Sequence, residues 1–193
     1  MIRLAIFASG SGSNAQNIAE YFSESNDIEV SLILSNNSKA YVLERAHKLD
    51  IPTAIFSRDS FYKSEEILKV LANNKIDFII LAGFMWLVPR YLVEAYPNKI
   101  LNIHPALLPN FGGKGMYGDH VHKAVKAAGE TESGITIHYV NEKYDEGNII
   151  FQAKCQLTSS DTPETIAEKV HALEYEHYPK VIETVIQKSF KNY

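Results

Sequence analysis

The chain has 193 residues, of which 19 are Lys or Arg and 23 are Asp or Glu, for a formal net charge of −4. This length predicts one domain, 1–193, that buries about 70% of the unfolded chain's surface. The weak acidic balance argues against nucleic acid as a partner. The single cysteine, Cys155, excludes an internal disulfide and a cysteine-cluster metal site. No segment reaches the roughly 20 apolar residues of a membrane span, so we expect a cytoplasmic protein without a membrane partner.

Short apolar runs alternate with helix-like stretches along the first half of the chain. The predicted strands are 2–8, 28–34, 52–56, 77–82 and 99–103. Between some of them, 40–49 and 65–74 repeat apolar residues at spacings of three and four, which is typical of helices packed on a sheet. Strands and helices in alternation predict parallel pairing with right-handed crossovers.

The second half of the chain has a different pattern. The predicted strands 134–140 and 148–158 are joined by a loop too short for a crossover helix, which favours an antiparallel pair. A last helix is predicted to begin near Pro163, capped by Asp161 or Thr162, and to run with a break near Pro179 to the end. The expected fold is α/β: a doubly wound, mostly parallel sheet with helices on both faces and an antiparallel extension in the C-terminal half.

A glycine-rich turn, "SGSGSNAQN" (9–17), lies where the first strand ends and a helix should begin. Gly10 and Gly12 allow a tight turn, and Ser13 and Asn14 bring hydroxyl, amide and helix N-terminal N–H groups toward one point. The full dinucleotide fingerprint is absent, because Ala15 follows and no third glycine does. The pattern favours one phosphate of a small ligand, with an ordinary strand-to-helix turn as the alternative.

Aromatic and pliable apolar side chains follow the fourth predicted strand in "LAGFMWLV" (81–88). Open α/β sheets bind ligands at the carboxyl ends of their parallel strands, and this surface suits an aromatic heterocycle. A core cluster at a helix start is the alternative interpretation.

Polar side chains also follow the fifth predicted strand in "NIHPALLP" (102–109). Asn102 and His104 are two residues apart, so on an extended strand their side chains point to the same side. Asp145, in "NEKYDEGN" (141–148), could favour the imidazolium and raise the pKa of His104 if it lies nearby. A cationic imidazole beside an amide donor would suit an oxyanion. The structural alternatives are a core or capping histidine and a plain turn.

Together, "SGSGSN", "LAGFM", "NIHPALLP" and "GITIHYVNEKYDEG" resemble, in order and spacing, the motif series of the phosphoribosylglycinamide formyltransferase family. The resemblance covers nearly the whole chain. It implies formyl transfer from 10-formyltetrahydrofolate, as co-substrate, to the amino group of glycinamide ribonucleotide in purine biosynthesis. It also implies a monomer or homodimer that needs no metal.

The resemblance further implies roles for single residues. It assigns Asn102, His104 and Asp145 to catalysis, Gly12, Ser13, Asn14 and Glu174 to the ribonucleotide, and Met85, Trp86, Leu87, Val88, Asn141, Glu142, Lys143 and Tyr144 to the folate. In this interpretation Asn102 and protonated His104 hold the oxyanion, and Asp145 relays the proton. Three residues depart from the family pattern: Trp86 stands where arginine is common, Ala106 where serine is common, and Asn148 where proline is usual.

Two other functions remain open from the sequence. Methionyl-tRNA formyltransferase and formyltetrahydrofolate hydrolase would share the catalytic trio, but each normally carries a further domain for which this chain has no room. A nucleotide- or folate-binding module without catalysis is the other alternative. It would not require an amide, an imidazole and a carboxylate around one point.

Overall fold

The computed structural model describes residues 1–190 of the chain. Seven strands form one sheet in the order β3-β2-β1-β4-β5-β6-β7. The strands are β1 (Ile2–Phe7), β2 (Ile28–Ser35), β3 (Thr53–Ile55), β4 (Phe78–Leu81), β5 (Ile100–His104), β6 (Glu132–Tyr139) and β7 (Ile149–Gln156). The helices are α1 (Ser13–Phe22), α2 (Val42–Lys48), α3 (Arg58–Tyr62), α4 (Glu66–Asn73), α5 (Arg90–Ala95), α6 (Asp119–Ala127) and α7 (Pro163–Phe190).

The chain divides into two compact units, which are described separately. The first comprises Met1–Asn102 and Val140–Glu142, and the second comprises Ile103–Tyr139 and the chain from Lys143 onward. Among residues 1–190, none of the helices has the length and apolar character that a bilayer crossing requires.

The first unit is built on parallel strands. β1 pairs with β2 and β4, β2 with β3, and β4 with β5, all in parallel. Side chains on β1 alternate between faces: Ala5 and Phe7 belong to a buried core that also holds Phe61 of α3 and Leu71 of α4. The predicted doubly wound, mostly parallel architecture is therefore confirmed.

The second unit contains the antiparallel pair. β6 and β7 pair from Glu132 opposite Gln156 to His138 opposite Ile149, with a bulge between Ile137 and His138. Nearly all of β6 is buried, whereas residues on β7 alternate between exposed and half-buried, as expected for a strand with one covered face. The predicted antiparallel extension is confirmed.

The last helix begins as predicted but does not break. The Thr165 amide donates to Thr162 Oγ1 at 3.3 Å, and Thr165 Oγ1 accepts from the Thr162 amide at 2.9 Å, so Thr162 caps α7. Pro179 lies inside a continuous helix, contrary to the expected interruption. Tyr178 and Ile182 on either side are fully buried, and their packing supports the helix where the proline removes a backbone hydrogen bond.

Candidate active site

Asp145 and two histidines form a buried polar cluster in the second unit. Nδ1 of His104, the last residue of β5, lies 3.5 Å from Asp145 Oδ2, and Nε2 of His138 on β6 lies 3.6 Å from Asp145 Oδ1. The two rings are 4% and 2% exposed and the carboxylate 11%. The predicted proximity of His104 and Asp145 is present in the structure.

Backbone groups hold this cluster in place. Nε2 of His104 lies 2.7 Å from the Phe111 carbonyl, and Nδ1 of His138 lies 2.8 Å from the Tyr139 carbonyl. The Gly113 amide donates to Asp145 Oδ2 at 2.9 Å. Because a carbonyl oxygen only accepts hydrogen bonds, each histidine nitrogen that faces one carries a proton.

The pKa values in the cluster are set mainly by burial and mutual charge. Burial lowers the pKa of His104, and the Asp145 carboxylate and the Phe111 carbonyl offset only part of that shift. The expectation of a raised pKa for His104 is therefore wrong in its net direction, because burial outweighs the ion pair. For Asp145, burial raises the pKa, but His138, His104 and the Gly113 amide together lower it below its usual value.

Asn102 lies two residues before His104 on β5 and is half-buried. Asn102 ends the first unit and His104 belongs to the second, so the expectation that strand alternation directs both side chains to one face stays a prediction.

Glu174 lies on α7 and is 4% exposed. Its Oε2 lies 2.8 Å from His171 Nδ1, and this hydrogen bond raises the pKa of His171. Within the second unit the Glu174 charge also acts on His104. The predicted ribonucleotide contact is thus a buried carboxylate in the electrostatic surroundings of the histidine cluster.

The glycine-rich turn lies between β1 and α1 in the first unit. Gly12 caps α1 with φ +74°, and Ser13 and Asn14 begin the helix, whose first amides have no intrahelical partner. Arg45 on α2 donates from Nε to the Ser11 carbonyl at 2.8 Å, so a guanidinium lies beside the turn. The sequence analysis missed Arg45, because nothing in its helical context marks it.

The segment predicted to bind an aromatic ligand follows β4 in the same unit. The Met85 amide donates to Ser9 Oγ at 3.1 Å, which brings this segment next to the start of the glycine-rich turn. Trp86 packs against rings that include Phe56 and Phe61, while Met85 is 47% exposed. The interpretation of this segment as a core cluster therefore fits Trp86, whereas the side chain of Met85 is accessible to a ligand.

The remaining predicted ligand contacts lie in or beside the turn that follows β6. In the first unit, Glu142 lies 3.6 Å from Arg90 Nε. In the second, Lys143 Nζ donates to Glu146 at 3.0 Å. Asp145 adopts a left-handed conformation, φ +54°. Such a conformation suits aspartate and asparagine better than most residues.

His138 is the second residue that the sequence analysis missed. It lies in "GITIHYV", a predicted strand, where a histidine among apolar residues indicates a buried structural position. The sequence feature that could have identified it is its position in the strand that leads into the turn with Asp145. Among the described residues, no cluster of His, Cys, Asp and Glu has the arrangement of a metal site.

Comparison with known proteins gives a consistent result. The family described as formyl transferase matches residues 2–182. The chloroplastic phosphoribosylglycinamide formyltransferase of Arabidopsis thaliana is 41% identical over 98% of this chain and 67% of its own. That of Bacillus subtilis is 38% identical over 96% and 95%. The crystal structure of the Anaplasma phagocytophilum phosphoribosylglycinamide formyltransferase superposes with a TM-score of 0.88 at 35% identity, covering 96% of this chain and 87% of its own. The chain belongs to the formyl transferase family.

Proposed function

We propose that this enzyme transfers the formyl group of 10-formyltetrahydrofolate to the amino group of 5-phosphoribosylglycinamide, as a step of purine biosynthesis in the cytoplasm. The observation that carries the proposal is the buried pair of His104 and Asp145 at the carboxyl end of β5. The similarity to the phosphoribosylglycinamide formyltransferases of Arabidopsis thaliana and Bacillus subtilis supports the choice of substrates.

The reaction requires donors for a developing negative charge. As the substrate nitrogen bonds to the formyl carbon, an electron pair moves onto the formyl oxygen. Asn102 can donate an amide N–H and His104 a ring N–H to that oxygen, and one such donor is worth about 3–4 kcal/mol at the transition state. The Nε2–H of His104 donates to Phe111 in this structure, so it must exchange that carbonyl for the formyl oxygen.

Backbone strain at Phe111 would favour release of its carbonyl. Phe111 has φ +56°, a conformation that is strained for a residue with a large side chain. The negative charge on the formyl oxygen then favours the cationic ring and offsets the burial that lowers the pKa of His104.

The reaction also moves one proton. The attacking nitrogen loses a proton as the new C–N bond forms, and the folate nitrogen gains one as its bond to the formyl carbon breaks. Asp145, whose pKa is held below its usual value, is ionised and can accept the first proton and return it. No net proton is consumed.

Substrate binding is assigned to the first unit and to Glu174. The N-terminus of α1 with Gly12, Ser13 and Asn14 would hold the ribonucleotide phosphate. Met85, Trp86, Leu87 and Val88, and the turn that includes Asn141, Glu142, Lys143 and Tyr144, are proposed folate contacts. Glu174 would accept hydrogen bonds from the ribonucleotide's other end.

A substrate-dependence assay tests the proposal. Purified protein should consume 10-formyltetrahydrofolate only when glycinamide ribonucleotide is present, with one formylated ribonucleotide formed for each folate consumed. Consumption with water alone would identify a hydrolase, and binding of either ligand without turnover would identify a non-catalytic module.

A further inference from the structure

The proposed mechanism gives no task to His138, although this histidine is as close to Asp145 as His104 is. The two distances to the carboxylate are 3.6 Å and 3.5 Å, and each imidazole approaches a different carboxylate oxygen. Asp145 therefore lies between two rings.

Hydrogen-bond roles determine which ring atoms carry protons. The Phe111 and Tyr139 carbonyls require N–H groups at His104 Nε2 and His138 Nδ1. If both rings were neutral, the two nitrogens that face Asp145 would be lone pairs directed at a carboxylate. Each of these lone pairs lies where an added proton would be shared with the carboxylate, so the cluster provides positions that can take up a proton released nearby.

The tautomer of His138 is held firmly. A Cβ added at Gly147 would lie 1.6 Å from the Tyr139 oxygen and 3.4 Å from His138 Nδ1, so the 147 backbone packs directly on this hydrogen bond. The Tyr139 amide donates to the Asn148 carbonyl at 3.0 Å, which holds the same residue against the turn. The ring therefore presents Nε2, and not Nδ1, to Asp145.

Burial determines where a proton on His138 can go. The ring is 2% exposed and the Asp145 side chain is 11% exposed. A proton on Nε2 would thus lie against the carboxylate and away from bulk water. The other charged groups near the cluster are Glu174 on α7, whose charge acts on His104, and His122 on α6, whose pKa the charge of His104 affects.

We propose that His138 is the proton store of this site: its Nε2 receives through Asp145 the proton that the attacking amine releases, and returns it to the leaving nitrogen. The inference rests on the proposed function. In the first half-step the N–H bond of the amine breaks, the proton passes to Asp145 Oδ1, and from there to Nε2. In the second, the carbonyl re-forms, the old C–N bond breaks, and the same proton moves back through Asp145 to the folate nitrogen. His138 does not touch substrate, so it is a positioning and proton-holding residue.

Replacing His138 by glutamine tests the inference. In His138→Gln the side-chain amide can donate to Asp145 and hold its position, but it cannot take up a proton. We expect kcat to fall by about 100-fold, as for loss of a general acid–base group, with KM for both substrates within about threefold. His47→Gln, on the exposed surface of α2, is the matched control and should match the unaltered protein. Turnover of His138→Gln within about threefold of the unaltered protein would overturn the inference.

Ring-nitrogen NMR on the unaltered protein tests it without any variant that must fold. We expect the His138 ring of the free enzyme, at the pH of the activity assay, to be the Nδ1–H tautomer that donates to the Tyr139 carbonyl, with Nε2 unprotonated. A ring that already carries a proton on Nε2, alone or together with Nδ1, would overturn the inference, because no position would remain for the transferred proton. This measurement needs no substrate, so its failure is distinguishable from absence of formyl transfer in the substrate-dependence assay.

Discussion

At the level of single residues, the carboxylate of Asp145 has more partners than its sequence context indicates. It accepts from the Gly113 amide at 2.9 Å and faces an imidazole on each side. Its pKa is low because these partners together outweigh burial. A single aspartate in a turn thereby becomes a fixed negative charge inside the second unit.

The oxyanion role of Asn102 and His104 leads to the first prediction. Asn102→Ala and His104→Ala should each lower kcat by about 10²–10³-fold, because each removes a donor to charge that exists only in the transition state. KM for the ribonucleotide should change by less than about threefold. Steady-state kinetics with both substrates varied provide the measurement, with His47→Ala as the control. Near-normal turnover in either variant would contradict the assignment.

The charge of Asp145 leads to the second prediction. Burial lowers the pKa of His104 and Asp145 partly restores it, so Asp145→Asn should lower that pKa further and move the alkaline limit of activity to lower pH. Asparagine also accepts the left-handed backbone at this position, φ +54°, so the turn should persist. The limit is measured on the residual rate under conditions where chemistry is rate-limiting. An unmoved limit would leave His104 as a neutral donor.

At the level of elements, the turn from β1 to α1 shows why glycine occurs at position 12. Gly12 has φ +74°, and a Cβ there would lie 2.3 Å from Val42 Cγ2 and 2.8 Å from Val42 Cα. The sequence analysis explained this glycine by the tight turn that it allows. The structure adds a second reason, because helix α2 occupies the space that a side chain would need.

The contact with α2 leads to the third prediction. Gly12→Ala should destabilise the fold by about 2–4 kcal/mol, because it combines a left-handed residue with a clash against backbone. Gly10→Ala is the matched control: nothing lies within 4 Å of its added Cβ, so it should stay within about 0.5 kcal/mol. Urea denaturation midpoints measure both. Equal stabilities for the two variants would show that α2 moves to accommodate the added Cβ at little energetic cost.

At the level of the whole molecule, buried histidines make stability depend on pH. Burial lowers the pKa of His104 and of His122 below the ordinary value of 6.5. Below about pH 6.5 the unfolded chain binds protons that the folded chain does not, so stability is full above this pH and falls as the pH drops. His171, whose pKa is raised by Glu174, acts in the opposite direction. Its side chain is 48% exposed, which weakens its contribution.

The effect of the buried histidines on the pH dependence of stability leads to the fourth prediction. His122 is 2% exposed, and its Nδ1 has no hydrogen-bond partner among the described residues. His122→Leu should therefore keep its stability near pH 7.5 and lose less than the unaltered protein on going to about pH 5.5. The comparison uses urea midpoints at both pH values, with His47→Leu as an exposed control. The same pH dependence in His122→Leu would place the titration elsewhere.

The sequence alone determined the architecture and indicated the candidate site, whose residue roles stay predictions. Apolar periodicity predicted the strands and the parallel first half, because burial on both faces of a sheet leaves a local pattern. Alternation along β5 similarly predicted that Asn102 and His104 share a face. The family resemblance supplied the expected substrates, and the organisation of 1–193 as one domain stays a prediction.

Features that arise from contacts between residues distant in the chain became known only from the tertiary structure. The direction of the His104 pKa shift follows from how deeply the ring is buried, which no local pattern records. The contact of Arg45 with the glycine-rich turn joins residues 34 positions apart. The position of His138 against Asp145 depends on the bulge after Ile137 and on the close packing of Gly147, because a one-residue change of register turns a strand residue to the other face.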